Sequence, residues 1–320
     1  MKFALRSILT VSILSALIIW LPTDELWSAI RKTGFMLWGF ALLGTVLFHI
    51  VAGWKWKILL IASGFEVKLL ECLRAHAAGL FANIWLPSLI GGDVVRMGLV
   101  TKNKKQLASA FTGSITDRIN DVVSLLILIA VGILWLPSVR ENLGIRSLIL
   151  ITVLIFCALI SVPVFLKYIH ANWFPKRIAD AVEALKTALD AVYSKKKSLV
   201  IAQSLSLVVQ TSFVLFNAAI GDEIGIQVPM AAWFFAWPLA KLAALVPISL
   251  GGIGVREVAM AAFLAAFSVD PTLSVAQSLV WETIILVLGL IGGILSLSLG
   301  RVLQRKERKE LGAAVNTPRS

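Results

Sequence analysis

The sequence has few charged residues, three histidines and almost no cysteine. Only 15% of its 320 residues are Asp, Glu, Lys or Arg, whereas 58% are hydrophobic. A soluble domain of this length needs more polar surface to cover its core, so the composition predicts a polytopic membrane protein. The two cysteines, Cys72 and Cys157, match no metal spacing and no disulfide framework, and we interpret both as packing residues.

The motifs of common catalytic and nucleotide-binding sites are also missing from the sequence. It contains no HExxH, no GxSxG, no Walker loop and no Cys/His cluster. We therefore expect no enzymatic activity, no metal and no bound cofactor. The net charge of +12 is divided among segments between long apolar runs. Such charges are typical of membrane topology signals and of attraction to anionic lipid, so we expect no nucleic-acid partner.

Six apolar runs are long enough to cross a bilayer. They cover residues 4–21, 35–53, 112–136, 147–166, 198–220 and 274–299. The first run follows a basic start but lacks a clean cleavage site, so we interpret it as a retained signal anchor. Two further apolar regions, 75–99 and 229–268, are each interrupted by a proline and a Gly-Gly pair.

The distribution of basic residues predicts the orientation. A full crossing at 75–99 would place the basic cluster from Arg96 to Lys105 outside the cell, against the positive-inside rule. If both interrupted regions instead return to the side from which they enter, most Lys and Arg face the cytoplasm, among them Lys55 after the second span. We therefore expect two re-entrant hairpins, with the N- and C-termini in the cytoplasm.

One motif occurs in both interrupted regions. The pattern P-x-x-x-G-G-x-x-x-R recurs at a constant offset of 160 residues, as Pro87, Gly91, Gly92 and Arg96, then Pro247, Gly251, Gly252 and Arg256. Matched spacing indicates an internal repeat, whose halves we place at about 35–167 and 198–300. Because the two copies are expected to enter from opposite sides, the repeat is inverted, as in many transporters. The predicted fold is an all-α polytopic membrane protein with six transmembrane helices and two re-entrant hairpins.

The repeated motif predicts an anion site. Proline ends one short helix, the Gly-Gly pair permits a tight reversal, and a new helix then presents free backbone N–H groups. Helix N-termini attract anions, and Arg96 and Arg256 add the planar donor fork suited to phosphate. Because proline and glycine are common in membrane helices, a purely architectural kink is the alternative.

A carboxylate accompanies each motif arginine. Asp93 precedes Arg96 by three residues, on the same helical face, and Glu257 directly follows Arg256. We expect these carboxylates to hold each arginine until a lipid phosphate displaces them. For Asp93, an N-cap at the start of the new helix is the alternative.

Other ionisable residues lie in or beside the apolar runs and are candidates by position. Asp117, Arg118 and Asp121 begin a predicted span, where they form either an ion site or an arginine–carboxylate staple. Lys241 precedes the second motif by six residues and either faces the same cavity or extends its amine to the membrane surface. Glu282 lies within the last predicted span.

A segment with one apolar and one charged face separates the halves. Residues 176–195 are predicted to form an amphipathic helix on the cytoplasmic leaflet, and a connector docked on the core has the same pattern. We assign residues 1–304 to one transmembrane domain and residues 305–320 to a basic and polar cytoplasmic tail.

Four segments together resemble a known family. WKWKILL, PSLIGGDVVR, DRIND and PISLGGIGVREVA are similar to the transmembrane domain of lysylphosphatidylglycerol synthases, also called the flippase-like membrane family. The resemblance implies movement of aminoacylated phosphatidylglycerol or polyprenyl-phosphate-linked sugars between leaflets. The sequence contains no synthase domain, so we expect no lysyl-transfer activity. The matching positions are Pro87, Gly91, Gly92, Asp93, Arg96, Asp117, Arg118, Asp121, Pro247, Gly251, Gly252, Gly254, Arg256 and Glu257.

These observations predict a multi-pass protein of the inner (plasma) membrane that translocates a phospholipid or a polyprenyl-phosphate-linked glycolipid. The lipid phosphate is expected at the two half-helix N-termini, and membrane lipids are the expected partners. The alternative is a membrane protein that transports nothing and assembles with a lipid-modifying synthase or glycosyltransferase.

Overall fold

The computed structural model describes residues 23–85, 91–101, 103–135, 176–245 and 252–315. In these segments every regular element is an α-helix, which confirms the predicted all-α class. The helices are α1 Thr23–Lys32, α2 Phe35–Ala62, α3 Leu69–Trp85, α4 Gly91–Val100, α5 Lys104–Trp135, α6 Lys176–Ser194, α7 Lys196–Ile224, α8 Met230–Ala243, α9 Val255–Ala265 and α10 Pro271–Val315. The predicted spans 4–21 and 147–166, together with Pro87, Pro247 and Gly251, lie outside the described residues.

Four of the described helices are long and apolar enough to cross a membrane. They are α2, α5, α7 and α10, and each contains most or all of one predicted span. The helices begin earlier or end later than the apolar runs. In α2, for example, the predicted span ends at residue 53, but the helix continues to Ala62. The apolar pattern therefore located the helix and underestimated its length.

Helix α1 occupies a segment for which the sequence pattern predicted no element. It carries Asp24 and Glu25 in its first turn and Arg31 and Lys32 in its last turn, which complements the helix dipole at both ends. Its apolar side is buried against the core, and the helix packs on α10.

The order long, short, short, long occurs twice along the chain. Helices α2 to α5 begin at residues 35, 69, 91 and 104, and helices α7 to α10 begin at residues 196, 230, 255 and 271. The spacing between corresponding helix starts stays close to the offset between the two motifs. The interruption of each apolar region therefore separates two short helices at matching places in both sets.

The short helices exchange packing partners between the two sets. Helix α3 packs along α10, and α8 packs along α5. A Cβ added at Gly132 of α5 would lie 2.8 Å from the backbone nitrogen of Phe235, and one at Gly292 of α10 would lie 2.7 Å from the carbonyl oxygen of Ala77. The two glycines are again 160 residues apart. Glycine at both positions permits the close helix approach on which this reciprocal packing depends.

An aromatic cluster lies at the centre of the core. The ring of Phe213 on α7 lies 6.1 Å from that of Trp237 on α8 and 5.7 Å from that of Trp281 on α10. The two tryptophan rings meet edge to face at 6.3 Å. This cluster joins three helices immediately beside the cavities described below.

Helix α6 lies where the sequence predicts the linker helix. Its residues Ala188, Leu189 and Val192 are buried, and the helix packs against α5 and α7. This packing corresponds to a connector docked on the helix bundle. At the other end of the chain, α10 continues as a helix to Val315, past the boundary expected at residue 304.

Candidate functional site

Helix α4 begins within the first motif and is buried against α3. The backbone N–H of Gly92 donates to Oδ1 of Asn83 at 3.0 Å. A Cβ at Gly92 would collide with the Asn83 side chain and with the carbonyl oxygen of Gly79. The second glycine of the motif is therefore needed for close approach of two helices, in addition to any role in the turn.

Arg96 joins α4 to α5 through two carboxylates. Its Nε lies 3.0 Å from Asp93, and its Nη2 donates to Asp117 at 2.9 Å. Arg118 donates to both oxygens of Asp93, at 2.7 Å each. Both oxygens of Asp93 are thus engaged by arginine side chains, so the carboxylate is part of an ion network and the N-cap alternative is wrong.

Lys55 of α2 extends the same network to α7. Its Nζ lies 3.0 Å from Asp117 and 2.5 Å from Asp121, and it donates to Ser206 at 3.3 Å. The hydroxyl of Ser206 donates to Asp121 at 2.5 Å. Three cations and three carboxylates are therefore joined across α2, α4 and α5; we call this set, formed by Lys55, Asp93, Arg96, Asp117, Arg118 and Asp121, the charged network.

The charged network bears on two expectations. Asp117, Arg118 and Asp121 pair with residues of α2 or α4 rather than with one another, and the carboxylate partner of Arg118 is Asp93 of α4. Lys55 was expected to face the cytoplasm after the second span. That expectation is wrong, because α2 continues past it and the residue is only 1% exposed. Lys55 belongs to the WKWKILL segment, which was the available sequence signal for it.

Arg96 is also held by an aromatic ring. The guanidinium carbon of Arg96 lies 4.6 Å from the centroid of the Trp56 ring. Trp56 is itself fixed, because its indole N–H donates to the hydroxyl of Ser114 at 3.0 Å. The donor fork of Arg96 is therefore oriented before any ligand binds.

The second motif has a different local geometry. Gly252 and Gly254 have positive φ angles of 83° and 87°, a backbone region that favours glycine. The backbone N–H of Gly254 donates to Oε2 of Glu257 at 2.6 Å, which caps the start of α9. Arg256 forms an ion pair with Glu282 of α10, and its Nε lies 4.0 Å from Glu257.

The two motif arginines thus share one arrangement. Each pairs with a carboxylate of its own short helix and with one from the long helix that follows, Asp117 for Arg96 and Glu282 for Arg256. These two acids are not separated by the repeat offset, so the repeat pattern could not identify them as equivalent partners.

Lys241 of α8 lies between the two motifs. Its Nζ donates to the side-chain oxygen of Gln210 at 2.7 Å. It also lies over the rings of Phe213 and Trp237, 5.1 Å and 4.8 Å from their centroids. The structure thus favours the cavity-facing interpretation of Lys241 over extension to the membrane surface.

Three neighbouring cavities surround these groups. The charged cavity, about 140 Å³, is lined by the charged network, and the second cavity, about 190 Å³, is lined by Arg256 and Glu282. The apolar groove, about 290 Å³, is formed by α2, α3 and α10. His49 and Leu80 border all three cavities. The charged and second cavities also share Asn83, Phe213 and Lys241.

A histidine pair lies where the charged cavity meets the apolar groove. Nδ1 of His49 and Nε2 of His76 are 3.2 Å apart, and both residues line both spaces. The sequence pattern did not associate these two residues, since they are 27 positions apart in the chain and belong to different helices. Asn83, Gln210 and Trp237 were missed for a different reason, because neutral side chains in apolar runs carry no distinctive pattern.

Sequence comparisons identify the family. The model described as lysylphosphatidylglycerol synthase TM region matches residues 7–293. The protein belongs to this family. The match confirms the resemblance inferred from the motifs and, with the apolar helices, establishes a multi-pass integral membrane protein.

The relatives found by sequence comparison are also membrane proteins or contain a region similar to this one. A UPF0104 membrane protein of Pyrococcus horikoshii is 22% identical over 331 residues, which cover 95% of this chain and 99% of the relative. A UPF0104 membrane protein of Methanothermobacter thermautotrophicus is 24% identical over 306 residues, covering 87% and 90% of the two chains. Glycosyltransferase AglD of Haloferax volcanii is 25% identical over 155 residues, 46% of this chain and 25% of AglD.

Proposed function

We propose that the protein translocates a phosphate-bearing lipid, either a phospholipid or a polyprenyl-phosphate-linked glycolipid, between the leaflets of the cell membrane. The observation that carries this proposal is the shared wall of the charged cavity and the apolar groove, formed by His49, His76 and Leu80. A lipid headgroup and its acyl chains require adjoining polar and apolar spaces, and the charged cavity and the apolar groove provide both. The proposal assigns the protein no catalytic step and no cofactor.

The repeated helix order supports alternating access. In this proposal α3–α4 and α8–α9 are re-entrant hairpins that enter the membrane from opposite sides, with both chain termini in the cytoplasm. Each hairpin packs on the last long helix of the other set, so movement of one set against the other changes access to both motifs. Transporters with inverted repeats bind their substrates at such interfaces near the middle of the bilayer.

The ion pairs suggest how the site remains stable when it is empty. A buried arginine without a partner is costly, and the carboxylates remove that cost until a lipid phosphate competes for the donor fork. When Arg96 turns to phosphate, Asp93 keeps Arg118 as a partner and Asp117 keeps Lys55. The network can therefore release one arginine without leaving a carboxylate unpaired.

Translocation in proteoliposomes tests the proposal. The purified protein is reconstituted with fluorescent phosphatidylglycerol, and the labelled lipid that remains protected from an external quencher is followed with time. We expect wild-type protein to move the lipid and Arg96→Ala and Arg256→Ala to lower the rate at least about tenfold, the loss typical of a charged hydrogen bond.

The matched control is Lys197→Ala, which removes an exposed cation from α7. Melting temperatures separate a lost site from a lost fold, and Arg96→Lys tests whether the donor fork is needed in addition to the charge. Folded Arg96→Ala and Arg256→Ala variants that translocate at the wild-type rate would contradict the proposal.

The similarity to AglD favours a second candidate, a membrane partner of a glycosyltransferase or lipid-modifying synthase that transports nothing. Under this alternative the protein binds lipid and presents it to an enzyme. Reconstituted protein that retains a phosphate-bearing lipid through purification but does not accelerate its translocation would favour this candidate over transport.

A further inference from the structure

We infer that Lys241, assisted by the indole N–H of Trp237, is the group that recognises an anionic phosphate on the lipid. The site lies at the wall shared by the charged cavity and the second cavity. The inference rests on the proposed function and deepens it by naming a residue, beyond the two motif arginines, that binds the phosphate.

Within the described residues, Lys241 differs from Arg256 and from the cations of the charged network in having no carboxylate partner. Among the residues that the structure describes, carboxylates form ion pairs with Lys55, Arg96, Arg118 and Arg256, and none pairs with Lys241. Its neighbours are the neutral amide of Gln210 and the faces of Phe213 and Trp237. Lys241 is partly buried. Ring faces offset only part of the cost of removing an ammonium group from water, so this position favours a ligand that supplies negative charge.

Trp237 provides a second and independent observation. Its side chain is 2% exposed, yet its Nε1–H has no hydrogen-bond partner. Buried donors are nearly always satisfied, and an unsatisfied one requires an explanation. Trp237 lines the second cavity beside Lys241. A small rotation of the indole would bring its N–H to an acceptor oxygen in that cavity, and the same oxygen would neutralise the lysine.

The space and its position suit a phosphate that passes between the motifs. The second cavity measures about 190 Å³, far above the roughly 15 Å³ that one water needs. Arg96 lines the charged cavity, Arg256 lines the second cavity, and Lys241 lines both. A phosphate transferred from one arginine to the other would therefore meet Lys241 on its way.

Ligand titration of the full-length protein in nanodiscs tests this role. The probes are dioctanoyl phosphatidylglycerol, dioctanoylglycerol with the same chains but no phosphate, and inorganic phosphate. We expect wild-type protein to prefer phosphatidylglycerol over dioctanoylglycerol by about tenfold, and Lys241→Met to remove most of that preference. Lys241→Arg should retain it, and Trp237→Phe, which removes the N–H donor together with part of the ring, should weaken it about threefold.

The inorganic phosphate titration distinguishes the source of the anion. Competition by phosphate against phosphatidylglycerol in wild type but not in Lys241→Met would support an anion site that accepts free phosphate as well. No competition, with the lipid preference intact, would support recognition of phosphate only when it is attached to a lipid. Lys197→Met is the control, since it removes an exposed lysine of α7.

The preference of folded Lys241→Met decides the inference. A wild-type preference for phosphatidylglycerol in that variant would overturn it. If Lys241→Met does not fold, Trp237→Phe decides, and unchanged phosphatidylglycerol affinity in that variant would equally overturn it.

A wild-type protein that binds phosphatidylglycerol through Lys241 but translocates no lipid would contradict the proposed transport alone. A translocating protein whose preference ignores Lys241 would contradict the present inference alone.

Discussion

Arg118 donates to both carboxylate oxygens of Asp93, with two distances of 2.7 Å, and thereby ties α5 to the start of α4. The same carboxylate lies 3.0 Å from Arg96. Asp93 therefore keeps Arg118 as a partner when Arg96 leaves it, which makes Arg96 available to a competing anion. We call Arg118 the reserve partner of Asp93.

The first prediction concerns the reserve partner. Arg118→Gln should lower thermal stability. It should also slow translocation by protein that is still folded, because Asp93 would then hold Arg96 more tightly. The double variant Asp93→Asn/Arg118→Gln should recover about 0.5–1 kcal/mol relative to the sum of the single changes, because the Arg118 side chain is 47% exposed. A double-mutant cycle of unfolding in detergent measures this coupling, and additive effects would mean that the pair is energetically unimportant.

The second prediction concerns Lys55. Lys55→Met leaves Asp117 and Asp121 without their shared cation in the interior, so unfolding should become easier by about 3–5 kcal/mol. Lys57→Met, two residues along the same helix and outside the charged network, should change stability by less than about 0.5 kcal/mol. Thermal unfolding monitored by circular dichroism compares the two. Equal effects would show that the burial of Lys55 does not matter.

The third prediction concerns the helix contacts between the two sets. Gly132→Ala and Gly292→Ala should each cost about 1–3 kcal/mol, because the added methyl group forces two backbones apart. Gly39→Ala is the control, since nothing lies within 4 Å of a Cβ at that position. Chemical denaturation in mixed micelles gives the three values. Wild-type stability of both test variants would argue that the close packing is dispensable.

The fourth prediction concerns the apolar groove. Ile50→Trp should fill the groove and slow translocation several-fold without unfolding the protein, because Ile50 lines the groove and is 47% exposed. Leu47→Trp is the matched control, because that residue is 55% exposed on the same helix and does not line the groove. The proteoliposome assay distinguishes them, and identical rates would argue that the lipid chain does not use this space.

Much of the architecture could be predicted from local properties of the sequence. Long apolar runs specify membrane-length helices, so the pattern located α2, α5, α7 and α10. Proline and glycine restrict or extend backbone conformation wherever they occur, so the matched motifs located both pairs of short helices. Helix α1 and the C-terminal extension of α10 are rich in charged residues and carry no such pattern. Helix α1 was therefore not predicted, and α10 was predicted to end too early.

By itself, the sequence determined the family, the all-helical class and the motif residues, because hydrophobic burial and helix interruption depend on side chains close together in the chain. Only the tertiary structure decided which charges meet. Lys55 and Asp121 are 66 residues apart, and Lys241 and Gln210 are 31 residues apart. Whether such side chains lie within 3 Å depends on how each helix is rotated and crossed against its neighbours. That geometry results from the packing of the whole helix bundle.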